Sequence, residues 1–170
     1  EALRFCQTLL ATDPDDAFGV GHAQSARALA AGRRYDDAMA AVSAAAGKAR
    51  WRNDAGFSIR AAKISSLADR LADAGTWLER AYQHGFTDVK SIHDSPDLAA
   101  FRQQRPDQYR QLTTPRFAWR IEPGLVLDDV VVRNDSPFEL TNVVVDVMVQ
   151  SGGRQWKREL KAPSIRAGQS

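Results

Sequence analysis

The chain has 170 residues, of which 44% are hydrophobic and 26% charged, with a formal net charge of +2. That length and balance exclude a fibrous or largely disordered chain. No run approaches the roughly 18 apolar residues of a membrane span, one cysteine excludes an internal disulfide and a cysteine-rich zinc site, and the small net charge gives no ground for binding nucleic acid or an acidic membrane.

Residues 1–112 are rich in Ala, Arg, Asp, Leu and Gln, and patterning predicts helices over 1–11, 15–31, 35–49, 54–68 and 71–84. Asp13-Pro14-Asp15-Asp16 stops the first helix and offers carboxylates to cap the second. Ala31-Gly32-Arg33-Arg34 breaks the second, Tyr35-Asp36-Asp37-Ala38 opens the third and Asn53-Asp54 the fourth. Leu71-Ala72-Asp73-Ala74 leads into the fifth, which Gly85 closes as a C-terminal cap. Further on, Thr87 and Ser95 read as helix caps and Pro96 as a first helical position.

A repeat runs through this part. Ala2, Ala38 and Ala74 lie 36 residues apart, as do Cys6, Val42 and Leu78, and Leu9, Ala45 and Ala81; Ala26 and Ala62 form a further pair. A fixed period of this size marks a stacked architecture. Within each copy the matched residues are four and then three apart, on one helix face, where small side chains admit a neighbouring helix. Leu98, Phe101, Tyr109 and Leu112 supply apolar cover for the end of the stack, which a repeat array needs for solubility.

These residues resemble the tetratricopeptide repeat family, which pairs two antiparallel helices per unit of about 34 residues. Ala26, Ala38 and Ala45 match one unit, Ala62, Ala74 and Ala81 the next, and Ala2, Leu9 and Pro14 the tail of a third. The segment Asp94-Ser95-Pro96-Asp97-Leu98 looks like those that end bacterial arrays of this kind. A helical solenoid of another family is the alternative. The resemblance implies a concave groove lined by the first helix of each pair. On this register Val20, Ala23, Arg27 and Ala31 face it from one unit, and Gly56, Ile59, Lys63 and Leu67 from the next. Arg27 and Lys63, 36 residues apart, stand side by side and suit a carboxylate or acidic peptide. The competing reading makes them solvated charges on an exposed face.

Thr113-Thr114-Pro115 forms the joint, because Pro115 pushes Thr114 out of the helical region. The second part, 116–170, reads as strands. Phe117, Trp119 and Ile121 alternate before Pro123-Gly124, and Val130-Val131-Val132 runs into the turn cluster Asn134-Asp135-Ser136-Pro137. Val143, Val145, Val147 and Val149 alternate with Val144, Asp146, Met148 and Gln150; Gly152-Gly153 ends that strand, and Trp156, Arg158 and Leu160 lie on the return. Val132, Asn134, Ser136, Leu140, Asn142 and the valines from Val143 look like part of small bacterial immunoglobulin-like modules. A full sandwich of that type takes about seven strands and about 100 residues. Here 55 residues follow Pro115, room for roughly four or five strands. The expectation is an α+β chain of two segregated domains: a helical hairpin stack over 1–112 and an incomplete antiparallel β-sandwich-like module over 116–170. Unpaired sheet edges would favour self-association of the module.

No constellation for chemistry emerges. His22, His84 and His93 lack the spacing of a helical metal site, and no Cys or carboxylate cluster completes one. His93 beside Asp94 reads as a surface histidine near a cap before it reads as an acid–base pair. Cys6, on the helix-contact face, reads as a packed hydrophobe and not as a nucleophile. Gly19-Val20-Gly21 lacks the preceding strand of a dinucleotide loop, and Gly56-Phe57-Ser58 has Arg60 where a nucleophile elbow needs its second Gly.

The reading is therefore a non-catalytic scaffold, with no catalytic residue, metal or cofactor, that binds a peptide or protein partner through Val20, Ala23, Arg27, Ile59, Lys63 and Leu67. The alternative is an accessory portion of a larger enzyme or cell-envelope protein, and a weaker third reading is a small-ligand cleft lined by Trp51, Trp77 or Trp119. The chain lacks an initiator Met and a signal segment and so reads as an excised fragment. Its alanine and arginine richness points to a bacterial source, with cytoplasm and envelope both open.

Overall fold

Short alanine-rich runs punctuated by aspartates and turn residues set the helix ends in the computed structural model, which describes residues 1–123, 129–151 and 154–170. The chain divides into two units, Glu1–Thr113 and Thr114–Ser170. The first holds α1 (Ala2–Thr12), α2 (Val20–Ala31), α3 (Tyr35–Ala46), the short α4 (Ala49–Arg52), α5 (Ala55–Leu67) and α6 (Leu71–Gln83). It ends with α7 (Val89–His93), a 3-10 turn at Pro96–Leu98, α8 (Ala99–Gln104) and α9 (Pro106–Thr113).

Two helical hairpins, α2–α3 and α5–α6, turn in the same way 36 residues apart. The backbone N–H of Arg34 donates to the Leu29 carbonyl at 2.9 Å, and that of Arg70 donates to Ser65 at 2.8 Å. The residue before each, Arg33 and Asp69, has φ 58° in the left-handed region and donates to the carbonyl three residues back, Ala30 and Ser66. This double closure satisfies the orphan carbonyls at the end of a helix. The turn after α6 repeats it, with Phe86 donating to Ala81 and Gly85 at φ 87°. Glycine is the ordinary occupant of that position, and Gly85 fills it as the sequence suggests. Gly32 does not: it sits one residue early, at φ −85°, and Arg33 takes the strained place.

The second helix begins at Val20, five residues later than its pattern suggests, because Asp16 is occupied differently. At φ 40°, the buried Asp16 accepts from the backbone N–H of Gly21 at 3.0 Å and of His22 at 2.8 Å, and pairs with His22 Nδ1 at 2.5 Å. A carboxylate here holds the first-turn donors from outside the helix. Burial works against its charge, but the His22 backbone, the His22 ring and the Gly21 N–H together keep its pKa below the usual aspartate value. Two glycines make the connection fit. A Cβ on Gly21 would lie 2.8 Å from Leu10 Cδ2 of α1, and Gly19, at φ 67°, abuts Trp51 so closely that a Cβ would lie 2.7 Å from its ring. Asp54 caps α5 by accepting from Phe57 N, as expected of Asn53-Asp54. Asp88, and not Thr87, caps α7. Ser95 precedes the 3-10 turn with Pro96 in the first helical position, but its hydroxyl caps nothing.

The repeated positions meet inside the stack. Ala38, Ala45, Ala62, Ala74, Ala81 and Leu78 have no exposed surface, and Cys6, Ala26 and Val42 are buried. Ala2 at the first helix is exposed and Leu9 half-buried. α1 packs on α2 and α3 packs on α5. The sites without side-chain bulk lie where helices approach. Trp51, Phe57 and Trp77 form an aromatic cluster with ring centroids 5.4 and 5.9 Å apart, worth roughly 1 kcal/mol per pair beyond area burial. At the far end α6 packs on α8 and α9, burying Leu98, Phe101, Tyr109 and Leu112, the residues whose pattern suggested a terminal cover.

The second unit contains two antiparallel hairpins: β1 (Phe117–Glu122) with β2 (Asp129–Asn134), and β3 (Leu140–Ser151) with β4 (Arg154–Ile165). Each sheet among the described residues has two strands, so the unit is antiparallel β. Along β3, Val143 is buried and Val145 and Val147 half-buried, while Val144, Asp146 and Met148 are exposed, the period-two pattern at work. Phe117, Trp119 and Ile121 alternate likewise but point to solvent, Trp119 with 70% of its surface exposed. Gly124, Gly152, Gly153 and the side chain of Trp156 lie outside the described residues.

Asn134 organises this unit. It is fully buried; its Nδ2 donates to the Phe138 and Ile165 carbonyls at 2.8 and 2.9 Å, and its Oδ1 accepts from Ser136 N at 2.9 Å. Its backbone N–H donates to Gln169 O, and its carbonyl accepts from Gly168 N. Ser136 Oγ in turn accepts from Arg116 N at 2.7 Å. One side chain thereby ties the end of β2 to the end of β4 and to the turn between β2 and β3.

Candidate functional site

The two hairpins place the second halves of α2 and α5 around an open cleft of about 380 Å³. Arg27 on α2, Arg33 in the turn after it, and Arg60 and Lys63 on α5 supply four cations. Ala31 and Leu67 add exposed apolar surface, over Ala30 and Ile64, which belong to the helical core beneath, and Tyr35 from the start of α3 and Asp97 from the 3-10 turn complete the lining. The geometry follows from helical spacing: Arg60, Lys63, Ile64 and Leu67 lie three, four and seven residues apart, one face of α5. None of the four cations has an ion pair or side-chain hydrogen bond among the described residues. Elsewhere in this unit Arg34 pairs with Asp37 at 2.7 Å, Arg70 with Asp36 at 3.1 Å and Arg110 with Asp107 at 2.5 Å, while Arg4, Arg52 and Arg105 are unpaired like the four cations of the cleft.

Of the six residues assigned to the groove from the sequence, the cleft gathers Arg27, Lys63 and Leu67, together with Ala31. Val20 and Ala23 pack against the hydrophobic core near the start of α2, and Ile59 is buried; these three face neighbouring helices. Gly56 is exposed beyond the cleft. Arg60, Arg33 and Asp97 were not picked out by the 36-residue register, since Arg60 corresponds to Gln24 and Arg33 to Asp69. The signal available for Arg60 was its place three residues before Lys63 on one face.

A second, larger hollow of about 500 Å³ is lined by Asp69, Arg70, Asp73, Gln104 and Arg105 with Leu71 and Ala72. Its charges are mixed and partly engaged within the fold: Arg70 is bound to Asp36 and Gln104 to Asp69. It offers no net attraction for a ligand of either sign.

The remaining polar candidates have structural neighbours. His93 Nδ1 meets the Tyr109 hydroxyl at 2.8 Å, while Asp94 faces Lys90 at 3.8 Å. Burial pushes the Tyr109 pKa up, against the pull of Arg102. Ser58 is fully buried inside α5, donating to the Asp54 carbonyl. Trp51 and Trp77 belong to the aromatic cluster of the helical core. Among the described residues there is no group of three His, Cys, Asp or Glu side chains able to hold a metal ion, and no helix long and apolar enough to cross a membrane.

No protein-family model matches the chain, and no curated protein or solved structure matches it.

Proposed function

We propose that the helical unit is a tetratricopeptide-like interaction scaffold that binds a peptide or protein partner through the cleft between α2 and α5, and that the β unit is an immunoglobulin-like module attached to it. The observation that carries this reading is the convergence of Arg27, Arg60 and Lys63 around the exposed Ala31 and Leu67. Exposed apolar surface ringed by charge is the common anatomy of a docking surface. Binding there needs no bond-making group, and the scaffold is non-catalytic on this reading.

A second reading makes the chain an accessory part of a larger enzyme or cell-envelope protein. The exposed row of Phe117, Trp119 and Ile121 favours it, because further polypeptide or a second copy of the module would take that row out of water.

The test of the first reading is Arg27→Glu combined with Lys63→Glu in the tagged chain. Capture of its partner from source-cell extract is expected to be lost while the far-ultraviolet circular dichroism stays helical. Capture at the wild-type level would show that the partner does not bind in the cleft.

A further inference from the structure

We infer that α1 is a second docking face, separate from the cleft, and that it takes a partner polypeptide as an amphipathic helix laid antiparallel along Ala2, Phe5 and Leu9. The 36-residue register makes α1, α3 and α6 equivalent. It carries Ala2, Phe5 and Leu9 onto Ala38, Ala41 and Ala45, and again onto Ala74, Trp77 and Ala81. In the later copies these places are covered. Ala38, Ala45, Ala74 and Ala81 have no exposed surface, Ala41 keeps 9%, and Trp77 is half-buried against the core. On α1 the same places lie open: Ala2 is exposed, Leu9 is half-buried and Phe5 keeps 64% of its surface in water.

The difference comes from packing. α3 packs on both α2, its hairpin partner, and α5, and α6 packs on α5 and on α8 and α9. α1 packs on α2 as α3 packs on α5. That side of α1 is closed: Cys6 is buried like Val42 and Leu78, and Leu10 abuts Gly21. The open side is the one that a hairpin partner covers in the other two copies. The contact that binds α2 to α3 and α5 to α6 thus continues onto α1 with its second half unfilled.

Those two hairpins specify the occupant. Trp77, the counterpart of Phe5, meets Phe57 of α5 edge-on with ring centroids 5.9 Å apart. Beyond Phe57, α5 presents Ala61 and Ala62, and α2 presents Ser25 and Ala26 at the equivalent positions, all buried. A helix of this kind brings a bulky apolar residue to Phe5. Four and five residues further on, its small residues let the two axes close. Its other face stays polar and in water, the usual anatomy of a helix bound in trans. The α1 of a second copy fits less well. Paired antiparallel about a two-fold axis through the stripe, Phe5 of each copy would face Leu9 of the other, and two bulky residues in register hold helices apart.

Fluorescence anisotropy on the full chain tests this with a labelled peptide copying residues 54–69, and with a twin carrying Ala61→Glu and Ala62→Glu. The first peptide is expected to bind saturably, and the twin at least tenfold more weakly. Phe5→Glu in the chain should weaken the first peptide about tenfold, the worth of one buried aromatic side chain. Phe5→Ala, which suits a helix and removes only the ring, should reproduce most of that loss with unchanged far-ultraviolet circular dichroism. Arg27→Glu with Lys63→Glu should leave the affinity as it was, which separates this face from the cleft. No saturable binding, equal binding of the twin, or binding indifferent to both Phe5 variants would overturn the inference. Dimers in analytical ultracentrifugation that dissociate in Phe5→Glu and persist in Trp119→Glu would assign the face to a second copy and overturn it as well.

Discussion

The helical unit and the β unit reach order by different means. In the first, the same solution recurs: small residues without exposed surface seat one helix on the next, and a single turn geometry closes α2, α5 and α6. Its contacts are short-range and duplicated, so no one side chain holds the whole. In the second, the described core is small, centred on Phe138, Leu140 and Val143, with Phe117, Trp119 and Ile121 left in solvent. Its two hairpins depend on Asn134, whose side chain makes three hydrogen bonds. Duplication tolerates loss at one site; a hub does not.

Asn134→Ala is the most severe way to probe that difference. It strands the Ser136 N–H and removes the donors to Phe138 and Ile165, a loss of about 3 kcal/mol at buried positions. Amide hydrogen exchange should speed up throughout β2, β3 and β4, while the helical unit keeps its urea midpoint. Unchanged protection in the strands would show that the hub is dispensable.

A smaller effect is expected at Asp16, the one buried carboxylate that sets a helix start in the first unit. Asp16→Asn should cost about 1–2 kcal/mol, the usual worth of a helix cap. The pH dependence has a defined sign. The folded pKa lies below the unfolded one, so the stabilisation is complete above the ordinary aspartate value of about 3.9 and is lost as pH falls through the lower folded value. Urea midpoints of the wild type should therefore fall more steeply than those of Asp16→Asn in acid. Parallel acid profiles would mean that Asp16 contributes no linkage.

The gentlest perturbation sharpens the repeat itself. Arg33 and Asp69 hold the left-handed position that Gly85 holds without strain. Arg33→Gly should raise the stability of the helical unit by up to about 1 kcal/mol, because the Cβ penalty is removed. A rise in melting temperature checks it; a fall would show that the Arg33 side chain contributes more than its strain costs.

How much of this was legible in the sequence also differs between the units. The helix contacts were, because Ala38, Val42 and Ala45 and their equivalents leave a spacing that only a packed helix face explains. The start of α2 was not, because a carboxylate capping from five and six residues upstream leaves no trace in periodicity. In the cleft, Arg27, Lys63 and Leu67 followed from the register, whereas Arg33 and Asp97 reach it from turns whose path depends on tertiary packing. Ile59 lies four residues before Lys63, on nearly the same side of α5, yet is buried where Lys63 is half-buried, because spacing does not tell which end of a helix face its neighbours cover. In the β unit alternation marked the strands, but it could not say that the Phe117 row faces water, because strand period is blind to which face is covered.

Crosslinking reads out directly which surface of the stack holds another polypeptide. A photo-crosslinking amino acid placed at Leu67, on the cleft floor, should yield polypeptide adducts in source cells that vanish with Arg27→Glu and Lys63→Glu. The same group at Ala40, exposed on α3 and absent from the cleft lining, should yield none. Equal adducts from the two positions, or Leu67 adducts that survive the charge reversal, would contradict a gripping cleft between α2 and α5.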